Sequence, residues 1–272
     1  MKTKNKGQNL KSPFKEKESF IKEINNFLLR FNSIIHDHSD KISAYFEMSC
    51  FNYIIQYYED CGFEVEIKNL RDKKYRYKCS TTGNQENFSY FSARKGLNPK
   101  NDIQIHHNLA IESMFDNKIY TTPDITVIRK ASIESKKDFY KNNITFCYVK
   151  NCNLITFAEV KHFNPYPELL FNFIGTVNEL KGIYHPNPHD FIKTEHFAPF
   201  LMISGKSTDH TDNIRRSLIS RYNINIIYDL FGMGLNKNSK LRHKTVEKLK
   251  YLKNKENKKI DEKSDDELVL PF

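Results

Sequence analysis

The sequence predicts an α/β fold: a mixed β-sheet flanked by helices, with an N-terminal helical extension and a charged C-terminal tail. Three observations carry the prediction. Apolar residues recur at the helical period over 18–35, the pattern turns to alternation from residue 63 onward, and two later helical stretches enclose a short, wholly apolar run at 199–205. Two helices, four to six strands, then helix, strand, helix, strand is the order of an α/β sandwich with a mixed sheet.

Each element has a local reason. Residues 18–35 (ESFIKEINNFLLRFNSII) are apolar at 20, 21, 24, 27, 28, 31, 34 and 35, which lines one face of a helix. Ser39 or Asp40 is placed to cap a second helix from Lys41 to about Asp60, and Gly62 fits the left-handed position that ends it. Strand candidates follow at 63–67, 75–78, 88–94, 102–113, 122–130, 144–150 and 154–162. The last two are joined by Asn151-Cys152-Asn153, which predicts a hairpin. A helix over about 167–181 starts with Pro167 and stops before Gly182. PFLMISG (199–205) reads as a buried central strand, 209–222 as a helix and 223–231 as a final strand.

Composition narrows the function classes. The 272 residues are 39% hydrophobic and 28% charged, and the apolar runs fall far short of the roughly 18 residues that span a bilayer. The N-terminal stretch lacks the apolar segment of a secretory signal, and five cysteines form no CxxC pair. A cytoplasmic protein with reduced thiols and no structural zinc is expected. The net charge of +10 is unevenly spread. Residues 1–17 carry +5, 237–259 carry +8 and 260–272 carry −4, which leaves +1 on 18–236. The chain therefore divides into a basic arm (1–17), a nearly neutral domain (18–235) and a basic-then-acidic tail (236–272). Such ends either solubilise the protein or bind a polyanion through phosphate contacts.

Two segments carry chemistry. Pro123-Asp124 enters the strand ITVI, and Glu159-Val160-Lys161 closes the apolar strand LITFAEVKH. An acid and a lysine two residues apart share one face of a strand, and a buried strand seldom ends on two ionisable groups without a partner. If the two strands are neighbours, Asp124 and Glu159 converge as hard oxygen ligands of the kind Mg²⁺ takes, with Mn²⁺ as a substitute. Lys161 would lie beside the metal, able to orient or deprotonate a water and to neutralise developing phosphate charge.

This arrangement resembles the PD-(D/E)XK nuclease superfamily, through Pro123, Asp124, Glu159 and Lys161 and the order of elements around them. The resemblance implies a restriction-endonuclease-like core over roughly 40–230. It also implies a metal site at Asp124 and Glu159, a water-positioning role for Lys161 and an assisting glutamate on the preceding helix, for which Glu47 is the candidate. The 34 residues between Asp124 and Glu159 are long for the pattern and must hold an inserted strand near 144–150. The activity it implies is Mg²⁺-dependent hydrolysis of phosphodiester bonds, as a DNA endonuclease of restriction or phage-defence type. The alternative is a catalytically inactive nucleic-acid-binding or assembly subunit that keeps the fold. Cutting both strands of a duplex usually needs two sites, so a homodimer is expected.

Other residues carry weaker signals. Arg215 and Arg216 near 209–222, and Lys244 and Lys248 in the basic segment, are candidate phosphate contacts. Gln104 and His106 are expected to face solvent, and His162 to be structural. His185 and His189 are expected in a loop, since the prolines between them forbid a helical metal-binding spacing. Aromatic residues of 75–94, interleaved with basic ones, are a candidate base-stacking surface. The terminal SDDELVLPF is similar to the tip of bacterial single-stranded-DNA-binding proteins at Asp265, Asp266, Glu267, Pro271 and Phe272, while Leu268-Val269-Leu270 departs from it. Docking of Phe272 into a partner, packing on its own domain, and charge pairing with the basic segment all stay open.

Overall fold

The structure, a computed structural model, describes residues 17–36, 41–96, 102–130, 133–136, 146–182, 191–230 and 249–255. Among these the helices are α1 (Lys17–Leu29), α2 (Ile42–Asp60), α3 (Pro167–Lys181) and α4 (Asp209–Arg221). The strands are β1 (Ile34–Ile35), β2 (Glu64–Lys68), β3 (Lys74–Tyr75), β4 (Tyr90–Arg94), β5 (Ile103–His107), β6 (Ala110–Glu112), β7 (Tyr120–Thr121), β8 (Ile125–Arg129), β9 (Glu134–Lys136), β10 (Phe146–Val149), β11 (Leu154–Lys161), β12 (Phe191–Phe197), β13 (Phe200–Ile203), β14 (Asn225–Ile227) and β15 (Tyr251–Lys255).

Seven strands form one mixed sheet in the order β14-β13-β11-β8-β5-β4-β2. From β2 to β11 each neighbour is antiparallel; β11, β13 and β14 run parallel. Parallel neighbours need a crossover, and α3 lies within the one from β11 to β13. Adjacent residues of a strand point to opposite faces, and the core splits accordingly. Val127 and Ala158 pack with Phe46, Phe51 and Ile54 of α2. Their neighbours Ile128 and Phe157 pack with Leu170 and Phe173 of α3 and Leu218 of α4. The expected mixed sheet between helices is present.

The helix ends show how local chemistry sets boundaries. Gly62 has φ 84 after α2, and Gly182 has φ 66 after α3, whose first turn holds Pro167. On α4 the cap is Thr208, which exchanges hydrogen bonds with Thr211.

Several expectations are corrected. The first helix stops at Leu29, not Ile35: Asn32 turns left-handed at φ 51, and Ile34–Ile35 pair with Lys74–Tyr75. α2 starts at Ile42, with Lys41 at the N-cap position and no side-chain cap hydrogen bond there; Ser39 and Asp40 lie outside the described residues. The stretch 102–113 is two strands, broken at Asn108 (φ 45), where the chain leaves the large sheet for a smaller one ordered β7-β6-β10-β9. β10 and β11 are not a hairpin. A 3₁₀ turn at Asn151–Asn153 passes the chain from the small sheet to the large one. Within 236–272, β15 pairs antiparallel with β12, so that part belongs to the fold and is no appended tail. Leu249 is buried, and Asn225 clamps Lys250 through its N–H (2.8 Å) and carbonyl (2.9 Å). Lys17, counted with the basic arm, opens α1 and lies over the ring of Tyr45.

Candidate active site

The site forms where β8 begins and β11 continues past it. Their ladder ends with Ala158 opposite Ile125, and the next residues are Glu159 and Asp124. Pro123 has no N–H to extend the ladder. The Asp124 side chain takes over instead, and its Oδ2 accepts a hydrogen bond from the Val160 N–H at 2.6 Å. Beyond this point, among the described residues, β11 stays paired only with β13, Glu159 opposite Leu201 and Lys161 opposite Ile203.

Lys161 joins the two acids. Its Nζ donates to Asp124 Oδ2 at 3.0 Å and to Glu159 Oε2 at 2.9 Å. Both oxygens lie within reach of one ammonium, so they are no farther apart than those two distances placed end to end. The side chains keep 16%, 15% and 29% of their exposure (Asp124, Glu159, Lys161), so the cluster is desolvated yet open to solvent on one side. Glu47, on α2, is 21% exposed. Its Oε1 accepts from Asn108 Nδ2 at 2.6 Å and lies 3.3 Å from His107 Nδ1.

The electrostatics follow from three acids around one cation. Burial, then Glu159 and Glu47, push the Asp124 carboxyl up to about 8, against the pull of Lys161 and the Val160 amide. Burial works against the charged form of Lys161, but Asp124 and Glu159 outweigh it and hold the ammonium above its ordinary value. In this arrangement Lys161 is held as a cation that donates hydrogen bonds to both acids. Burial also pushes the Cys50 thiol up, with Glu47 and Asp124 adding to it.

Among the described residues no three His, Cys, Asp or Glu side chains form a ready-made metal cage. The donor set instead fits a cation that takes two carboxylates and fills its shell with water and substrate. Among the described residues none donates to Asp124 Oδ1, Glu159 Oε1 or Glu47 Oε2, and three acids against one lysine leave the site negative.

The remaining candidates are distributed elsewhere. Arg215 and Arg216 both pair with Asp212 at 2.7 Å on α4, and Arg215 also lies over the Tyr228 ring. Lys244, Lys248, His185, His189, Phe272 and the rest of the acidic tip lie outside the described residues. His106 does not face solvent: it is buried, stacked on Tyr90 and within 3.4 Å of Gln85. Gln104, half-buried, lies 3.3 Å from His106. The aromatics Tyr75 (on β3), Tyr77 and Phe91 (on β4) are core, packed on Phe51. His162 packs against Phe46, and burial lowers its basicity.

His107 and Asn108 escaped the sequence reading. Both are buried, and both contact Glu47. The only available signal was an Asn at the end of an alternating run, a residue that tolerates the left-handed region. Among the described residues no helix is long and apolar enough to cross a membrane. Comparison with family profiles, with curated proteins and with solved structures gives no match.

Proposed function

We propose that the chain is a Mg²⁺-dependent nuclease of the PD-(D/E)XK type, hydrolysing phosphodiester bonds in DNA as an endonuclease of restriction or phage-defence kind. One observation carries the reading: Asp124 and Glu159, from adjacent antiparallel strands, meet on the Lys161 ammonium at the point where those strands part. The order of elements around it supports the restriction-endonuclease-like core, since α2 precedes the antiparallel strands and α3 leads from the motif strand β11 to the parallel β13.

Asp124 and Glu159 would hold the metal through the oxygens that Lys161 leaves uncommitted. A bound Mg²⁺ supplies Lewis-acid polarisation of a phosphate oxygen. Lys161, held protonated, orients the attacking water by hydrogen bonding and offsets the charge that builds on the phosphoryl oxygens. Glu47 adds negative potential that retains the cation and disfavours anions until it is bound. The basic ends would supply sequence-independent affinity for the phosphate backbone. Two copies, one per strand, would cut a duplex.

The test is cleavage of plasmid, linear duplex, single-stranded DNA and RNA with Mg²⁺ or Mn²⁺, beside Asp124→Asn and Lys161→Ala. Metal-dependent cutting that both substitutions abolish is expected. A wild type that cuts nothing, or a Lys161→Ala variant as active as wild type, leaves the inactive binding subunit as the reading.

A further inference from the structure

We infer that Asn108 is a positioning residue of the metal site, holding the Glu47 carboxylate toward the Asp124–Glu159 pair; the inference rests on the metal reading above. Asn108 stands at the corner where the chain passes from β5 to β6, in the left-handed region at φ 45, and is 6% exposed. Asparagine occupies that region more readily than most residues.

From this corner it reaches two of the site's acids. Its backbone N–H donates to the Asp124 carbonyl at 3.1 Å, one step beyond the last β5–β8 pair, His107 with Ile125. Its side-chain Nδ2 donates to Glu47 Oε1 at 2.6 Å and to the Lys78 carbonyl at 2.8 Å. An amide nitrogen has two hydrogens, and both are used, so the amide plane is fixed. The Lys78 end is itself anchored, because the Lys78 side chain is buried and bonded to Gln85 Oε1 at 2.9 Å. Glu47 Oε1 is therefore occupied by Asn108, with His107 Nδ1 beside it, and Oε2 is left for the site. Groups that orient a ligand without touching the metal commonly change its affinity by about 10–100-fold when removed.

The test is Mn²⁺ binding by calorimetry to the full-length protein, without nucleic acid. Asn108→Gly keeps the backbone N–H and accepts the positive φ, so only the amide is lost. Roughly tenfold weaker Mn²⁺ binding is expected in the otherwise wild-type chain, with no further loss when Asn108→Gly is added to Glu47→Gln. Unchanged affinity, or the same loss in both backgrounds, overturns the positioning role. Should Asn108→Gly fail to fold, Asn108→Asp keeps shape and backbone preference but sets an acceptor against Glu47 Oε1 and the Lys78 carbonyl. It should also weaken binding, and binding as tight as wild type overturns the inference. A wild type that binds no Mn²⁺ fails at the metal reading itself and takes the inference with it, a result distinct from either of the others.

Discussion

Replacing Lys161 with methionine keeps most of the side-chain volume and removes the charge between Asp124 and Glu159. At pH 9, above the Asp124 carboxyl's raised value of about 8, both acids are charged, and at an effective dielectric of about 20 each ammonium–carboxylate contact near 3 Å is worth about 5 kcal/mol before desolvation. Lys161 also loses hydration on burial, and that cost disappears with it. Removing one partner of a buried ion pair typically costs about 3–5 kcal/mol; with the group still 29% exposed, about 2–3 kcal/mol is expected. For a domain of this size that lowers the thermal midpoint by roughly 4–10 °C in metal-free buffer. The distinctive part is the rescue. With the ammonium gone, Asp124, Glu159 and Glu47 face one another uncompensated, and a divalent cation takes its place. Millimolar Mg²⁺ should therefore raise the midpoint of Lys161→Met more than that of wild type, while cleavage stays abolished. Differential scanning calorimetry with and without Mg²⁺ reads both effects. A variant as stable as wild type without metal and unmoved by Mg²⁺ would refute the argument that these carboxylates form one cation-seeking site.

Further predictions concern the surroundings of the site. The Asp124 carboxyl, at about 8 folded against about 3.9 unfolded, keeps a proton that the unfolded chain releases. In metal-free protein its contribution to stability thus falls as pH rises through about 4 to 8, by up to about 1.4 kcal/mol per unit. Asp124→Asn should remove that slope and be the more stable protein at pH 8; equal slopes in urea unfolding at pH 6, 7 and 8 would show the carboxyl to be unperturbed. Gly205 follows β13 where a Cβ would meet the Asn164 Cα and Phe163 carbonyl at 2.5 Å, backbone that cannot swing aside. Gly205→Ala should cost about 1–3 kcal/mol and displace the loop after Lys161, read by denaturant unfolding and by loss of metal-dependent cleavage. Deleting 249–272 removes β15 from β12, exposes the Leu249 site and unpairs Asn225. A loss of about 2–4 kcal/mol is expected in chemical denaturation, and a deletion as stable as the full chain would mean that this segment does not hold the fold.

How much was legible differs from element to element. α2, α3 and α4 stood out because their apolar spacing and end residues, Gly62, Pro167 and Gly182, act within a few residues of chain. β11 and β13 stood out as apolar runs because a strand buried on both faces needs them. The two-residue strands β1 and β7 did not, since they are defined by partners and not by their own pattern, and of the strand expected at 75–78 only Tyr75 belongs to β3. The hairpin expected between β10 and β11 failed for the same reason: alternation says that a strand has two faces, not which strand lies beside it.

The site divides along that line. Acid and lysine two apart at the end of a buried strand is a local fact, and it placed Glu159 and Lys161 on one face before any fold was known. That β8 lies against β11, so that Asp124 shares the Lys161 ammonium across 37 residues of chain, was decided by sheet pairing. The clamp of His107 and Asn108 on Glu47, about 60 residues away, was decided by the packing of α2 beside the β5–β6 corner. Backbone stereochemistry and the hydrophobic period act over a few residues and can be read from the order of side chains. Convergence of charges depends on which surfaces pack, and that is settled only when the whole core is buried.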